Sequence, residues 1–227
     1  LIVKKAKDGV QSPVTIVDFG GGNGISMLRL AVSLQTLVEK GEVVFVVTNL
    51  LRTIHEEIAQ IQEDLSVHSN DEIQKRYGMS ADALKKQLEF YTRAQGLVHY
   101  VSADASELAN TSIQLPNGAA YRIAGNIDIL HERMALAHGY INDTDLPLLG
   151  SMLSPYGAFF FHSTQIALRI DRSAEVEDLR QQATDIGMQN LERIGLARVP
   201  FEKEIIYRVY TKAGAPDIRH SIEEPRI

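Results

Sequence analysis

An apolar stretch, Val14-Thr15-Ile16-Val17, runs into Asp18-Phe19-Gly20-Gly21-Gly22-Asn23-Gly24 and leaves as Ile25-Ser26-Met27-Leu28-Arg29-Leu30-Ala31-Val32. The first segment has the composition of a buried strand, and the last carries apolar residues at helical spacing. Between them lie four glycines in five residues. Such a run costs conformational entropy on folding, so a turn that serves nothing explains it poorly. A strand that becomes a helix through glycine brings bare backbone, and the unpaired N–H groups of the helix start, against a polar ligand. The chain is thereby committed to a strand–turn–helix unit, the building block of a parallel sheet covered by helices.

The spacing of the glycines narrows the ligand. A dinucleotide fold needs G-x-G-x-x-G, with the third glycine easing helix–strand packing. Counting from Gly20, that third position is Ile25; counting from Gly22, it is Met27. What fits instead is D-x-G-x-G-x-G, from Asp18 to Gly24.

Downstream, strand and helix patterns alternate. Strand 1 covers about Val14–Phe19, and one helix is predicted from Gly24 to about Glu39, closed by Gly41. The continuous apolar run Glu42–Val47 predicts a strand buried on both faces. A long interval, Leu50–Gly96, precedes the third strand, Leu97–Ser102. A helix at about Leu51–Asp64 makes the crossover. The rest, roughly 66–96, predicts a helical insertion, with Asn70 as N-cap and Leu84, Leu88 and Tyr91 on one face. Strand 4 is placed at about Ala120–Gly125, with a helical stretch from His131 on and another at Leu146–Leu153. Strand 5 is placed at Ala158–His162 after a turn at Pro155-Tyr156-Gly157. A long helix follows at about Ser173–Ile194, then two runs, Ala197–Phe201 and Glu204–Thr211, that suit a terminal hairpin. The expected fold is an α/β doubly wound sheet.

Composition sets the outer limits. With 227 residues, 44% hydrophobic and 23% charged, the chain suits a single domain over 1–227. It opens Leu1-Ile2-Val3-Lys4-Lys5 without Met, so we expect it to begin inside a longer chain that holds a further N-terminal segment. A net charge of −6 and lysines only in pairs (Lys4-Lys5, Lys85-Lys86) leave no visible nucleic-acid footprint. The absence of cysteine excludes disulfides and Cys-ligated zinc, and no apolar run is long enough to span a membrane. The histidines show no metal-ligand spacing, so no metal is expected.

The motif Asp18-Phe19-Gly20-Gly21-Gly22-Asn23-Gly24, together with the strand order, resembles the first motif of class I S-adenosylmethionine (SAM)-dependent methyltransferases, and the resemblance extends over about Val14–Thr211. It implies a seven-stranded, mostly parallel sheet whose last strand is antiparallel and lies beside strand 5. It implies SAM as cofactor, S-adenosylhomocysteine as product, and a loop of Gly20, Gly22 and Gly24 around the methionine end. Asp18 would sit near the methionyl amino group, often through water; a turn or helix cap is the alternative. In the family an acid after strand 2 holds the ribose diol. Here Asn49 takes its place, with less charge and reach, and a helix N-cap is its other reading. If Asn49 faces the ribose, an Asp in its place should bind more tightly. After strand 3, Asp104 and Ala105 would meet the adenine, or Asp104 would cap a short helix at Ser106–Ala109.

Strand 4 leads into Gly125-Asn126-Ile127-Asp128-Ile129-Leu130-His131-Glu132, similar to the family's fourth motif in members that read N-x-x-L-H. It lacks the N/D-P-P-Y/F of the DNA amino-methyltransferases. The resemblance implies Asn126 at the cofactor and His131 as the base that takes a hydroxyl proton; the alternative for His131 is a helix start. The expectation is a cytoplasmic SAM-dependent methyltransferase acting on a small molecule, oxygen in preference to nitrogen, with no nucleic-acid and no membrane partner. A non-catalytic SAM- or nucleoside-binding module with a regulatory or scaffolding role is the alternative.

Overall fold

A computed structural model describes residues 5–6, 8–49, 53–132, 145–162, 189–199 and 207–212. In chain order its strands are β1 Val14–Phe19, β2 Val43–Thr48, β3 His99–Val101, β4 Ser112–Gln114, β5 Ala120–Arg122, β6 Ile127–Glu132, β7 Leu153–His162, β8 Ala197–Val199 and β9 Tyr207–Thr211. The helices are α1 Ile25–Ser33, α2 Gln35–Glu39, α3 Ile54–Val67, α4 Asn70–Tyr77, α5 Ala81–Ala94, α6 Ala105–Leu108 and α7 Asp145–Ser151. Seven strands form one sheet in the order β3-β2-β1-β6-β7-β9-β8. The first five run parallel, and β9 runs antiparallel to both β7 and β8. This is the doubly wound, mostly parallel sheet expected from the alternation of elements, with helices between β2 and β3.

Every residue of β1 and β2 is buried, as their unbroken apolar runs require. Successive side chains serve opposite layers. Val14 and Ile16 pack with Leu28 of α1, Ile54, Ile58 and Ile61 of α3, and Leu84 and Tyr91 of α5. Val17 and Phe19 pack on the other side with Leu108, Leu146, Leu149 and Leu191. The helical insertion therefore covers one face of the β3-β2-β1 half of the sheet. Leu84 and Tyr91 do point inward together, with Leu88 partly buried beside them.

Five local expectations are corrected. The fourth sheet strand is β6, not Ala120–Gly125. That earlier segment supplies β5, which among the described residues pairs with β4 in a separate hairpin. His131 and Glu132 consequently end a strand rather than start a helix. The first helix breaks at Leu34, whose backbone leaves helical geometry (φ −112°, ψ 20°), so α1 and α2 are separate. Ser69, not Asn70, caps α4, because Ser69 and Glu72 satisfy each other's backbone N–H groups in a capping box. Pro155-Tyr156-Gly157 does not precede a strand but lies inside β7, where the register shifts: Ile127 pairs with Leu153 and Ile129 with Ala158. Of the helix expected at Ser173–Ile194, only 189–194 fall within the described residues, and 189–193 are helical.

Two polar clusters pin this frame. At the amino ends of β1 and β6, buried Lys5 donates its ammonium to Asp128 Oδ2 and to the Pro13 carbonyl, each at 2.8 Å. Asp128 also accepts from Thr15 N at 2.9 Å and Ser154 Oγ at 2.6 Å, so both oxygens of the buried carboxylate are hydrogen-bonded. Joining the crossover helix to the insertion, buried Asp64 of α3 accepts from the Tyr77 hydroxyl at the end of α4 and pairs with Arg76 at 3.2 Å.

Candidate functional site

The carboxyl ends of β1, β2, β3 and β6 meet at one edge of the sheet, where the chain's path reverses between β1 and β6. Ligands of open α/β sheets bind at such a switch point. The register places Asp18 level with Val47 on one side and His131 on the other, so all three side chains share the face covered by α1.

The glycines of the loop serve distinct physical ends. Gly20, Gly22 and Gly24 have φ of 72°, 63° and 73°, a left-handed conformation that side chains with a Cβ avoid. A Cβ on Gly24 would come within 2.8 Å of Tyr100 Cε1 and 3.2 Å of Val47 Cγ2, so this glycine lets α1 close onto β2 and β3. A Cβ on Gly22 would meet nothing within 4 Å, and Gly22 is exposed: this is the loop's open edge. Gly21, absent from the expected site, is buried, and a Cβ there would overlap Asp18 Oδ2. It is a glycine because a carboxylate lies under it. In the sequence its only signal is that the run Gly20-Gly21-Gly22 is unbroken, whereas the motif itself needs glycine at alternate positions alone.

Asp18 is fully buried and caps nothing. Its Oδ1 accepts from His131 Nδ1 at 2.7 Å, between residues 113 positions apart in the chain. Its Oδ2 has no hydrogen-bond partner among the described residues. A buried carboxylate needs a donor or counter-charge, and His131 supplies one. The imidazole is 21% exposed, so it spans from the buried acid to the crevice. With Nδ1–H donated to Asp18, the neutral ring's basic atom is Nε2. Glu132, next along β6, is fully buried on the opposite face.

The end of β2 grips the loop. Thr48 Oγ1 accepts from Gly20 N at 3.3 Å, and Asn49 Nδ2 donates to the Gly22 carbonyl at 2.6 Å. Asn49 is not the N-cap of α3; Thr53 is, in a capping box with Glu56. Asp104 does cap α6: its Oδ1 accepts from Glu107 N and Ser106 Oγ, both at 2.8 Å. These bonds, the one from the Glu107 backbone foremost, hold its carboxyl below the ordinary value. The Asp104 side chain remains exposed, and Ala105 behind it is buried as the first residue of α6.

The structure thus brings together Asp18, Gly20, Gly22, Gly24, Asn49 and His131, with Asp104 and Ala105 just beyond β3 at the same edge. It does not bring Asn126 there. Asn126 precedes β6, five residues before His131, or roughly 16 Å along a strand, and donates to the Arg122 carbonyl at 2.9 Å. Asn126 is part of the turn from β5 at the opposite edge of the sheet and is removed from the site. Tyr100, which no sequence motif marks, belongs there instead. It packs on Gly24, its ring meets His55 edge-on at 5.6 Å, and its hydroxyl is buried without a partner among the described residues. Burial raises its pKa well above the ordinary phenol value.

Among the described residues no group of three or more His, Cys, Asp or Glu could hold a metal ion, and no helix is long and apolar enough to cross a membrane.

No protein-family model matches the chain, and no curated protein matches it by sequence. Solved structures do resemble it. One is a 16S rRNA (adenine(1408)-N(1))-methyltransferase from Catenulisporales acidiphilia with cosubstrate SAM, at 13% identity and a TM-score of 0.50, over 96% of this chain and 93% of that one. Others are a SAM-dependent methyltransferase from Aquifex aeolicus (12% identity, 92% and 87% of the two chains, TM-score 0.45) and the CMeT domain of citrinin polyketide synthase (11% identity, 94% and 51%, TM-score 0.45). The fold is that of the class I SAM-dependent methyltransferases.

Proposed function

We propose that this chain is a SAM-dependent methyltransferase acting on a small-molecule acceptor, with oxygen preferred to nitrogen. The observation that carries the reading is the convergence of an open glycine loop with buried Asp18 and its half-buried partner His131 at the switch point of the sheet. The residues present fit SAM. Gly22 offers bare backbone at the open edge, Asp18 makes the floor beneath the loop negative toward a cationic ligand, and Asp104, which the resemblance assigns to the adenine, keeps an exposed carboxylate just after β3.

Bound there, SAM supplies an electrophilic methyl group whose departure leaves a neutral thioether. The chain's own part is to hold the acceptor in line and to take its proton. His131 takes the proton. Asp18 would fix the ring and its tautomer, leaving Nε2 as the atom that would take the hydroxyl proton of the acceptor. Charge favours a small acceptor over RNA. Lys75, Arg76, Lys85, Lys86 and Arg93 of the insertion alternate with Asp71, Glu72, Asp82 and Glu89 rather than forming a basic stripe.

Calorimetry with SAM, S-adenosylhomocysteine and NAD tests the reading. We expect binding of the first two and none of NAD; the reverse result sinks it. SAM binding with no turnover across phenol, carboxylate, amine and RNA acceptors would leave only a binding module. Turnover on RNA alone would overturn the acceptor class.

A further inference from the structure

We propose that Asn49 is a positioning residue that latches the glycine loop from the end of β2, and that this bond, rather than a grip on the ribose, is why the position holds an amide. The proposal rests on the reading above only for the identity of the ligand.

The bond joins two elements that must be aligned for the site to exist. Asn49 is fixed by the sheet: its N–H donates to the Val101 carbonyl at 3.2 Å and extends the β2–β3 ladder one step past Thr48. From that fixed point its Nδ2 reaches the Gly22 carbonyl at 2.6 Å. Thr48 Oγ1 takes the Gly20 N–H one residue earlier. Two consecutive residues at the end of β2 therefore clamp the loop on both sides of Gly21, one as acceptor and one as donor. A glycine populates both signs of φ with similar ease, so Gly20 and Gly22 do not hold their left-handed conformations unaided. The clamp selects them, and Gly21 is then seated over Asp18.

The latch demands a donor at position 49. An ionised Asp has Asn's shape but only acceptor atoms. It would set a carboxylate oxygen against the Gly22 carbonyl oxygen where a hydrogen bond now lies. The acid that would suit a ribose diol is thus the substitution that most opposes this loop. The two roles predict opposite signs for Asn49→Asp.

The experiment uses the full chain with and without S-adenosylhomocysteine. In the ligand-free protein, amide hydrogen exchange of the segment 19–25 should quicken by about tenfold in Asn49→Ala, the equivalent of one ordinary hydrogen bond, and further in Asn49→Asp. Exchange in β1 and β6 should stay unchanged. Affinity for S-adenosylhomocysteine should fall in the same order, with Asp below Ala. A residue that merely fills space predicts the reverse order, because Asp matches the shape of Asn. Tighter binding by Asn49→Asp, or loop exchange equal to wild type in Asn49→Ala, overturns the latch. If the wild type binds no S-adenosylhomocysteine, the methyltransferase reading fails while the exchange measurement still decides the latch. If Asn49→Asp does not fold, Asn49→Ala supplies the exchange result by itself.

Discussion

His131 and Asp18 depend on each other in ways that separate stability from chemistry. His131→Ala would strip the buried Asp18 carboxylate of its donor and should cost roughly 1–3 kcal/mol in unfolding free energy. His131→Asn keeps an N–H near the position of Nδ1 but has no basic atom. We expect it to unfold close to wild type while turnover drops by about 10²–10⁴-fold, the range of a lost general base. Denaturant titrations beside initial rates would check both, and full activity in His131→Asn would remove the residue from the chemistry. The glycines divide in the same way. Gly21→Ala forces a Cβ against Asp18 Oδ2 and should lower both stability and ligand affinity. Gly22→Val meets open space in the ligand-free chain, so beyond a backbone strain of about 1–3 kcal/mol its main effect should be loss of SAM binding. Calorimetry and thermal melts on the two variants would show whether binding and stability separate. The outline of this site was legible in sequence because glycine and acid stood at fixed short spacings. The Asp18–His131 contact was not, because only the register of β1 on β6 brings the two residues together.

Among the elements, the insertion carries its own pH signature. The Tyr77 hydroxyl, working against burial and helped by Gln60, Arg76 and His68, holds the Asp64 carboxyl below its ordinary value. A carboxyl lowered in the folded state stabilises above its unfolded value near 4, and that contribution is lost as pH falls through the folded value. Burial, then the bond to Asp64, pushes Tyr77 up to about 12. Its contribution is present below the unfolded value near 10 and lost as pH rises through the folded one. Asp64→Asn should therefore lower the melting temperature at neutral pH, with the gap to wild type closing in acid. A gap that is constant with pH would count against this lock. The elements themselves were legible where apolar runs were unbroken, as in β1 and β2. The strand β6 was misplaced because Asp128, His131 and Glu132 interrupt its apolar pattern. For Asp128 and His131 the interruption is harmless, because Lys5, Ser154 and Asp18 satisfy them across the fold. No local window of sequence contains those partners.

For the molecule as a whole, the Lys5–Asp128 pair ties the segment before β1 to the middle of the sheet. Asp128→Ala leaves a buried ammonium unpaired and should cost about 3–5 kcal/mol, whereas replacing both Lys5 and Asp128 by apolar residues of similar volume should cost far less. Equilibrium unfolding of the single and double variants tests this, and an additive result would deny the coupling. The global topology was the most legible level of all, since alternation of strands and helices leaves few arrangements open. Its order also governs assembly in time. β8 is made before β9, yet among the described strands of the sheet it pairs with β9 alone, and β9 must first find β7. An emerging chain thus carries β8 as an orphan edge until the later strand arrives, a non-local step that is slow and open to mispairing. In pulse-labelled refolding, β8 should gain protection no sooner than β9, and the half of the sheet that holds the glycine loop should be protected before either.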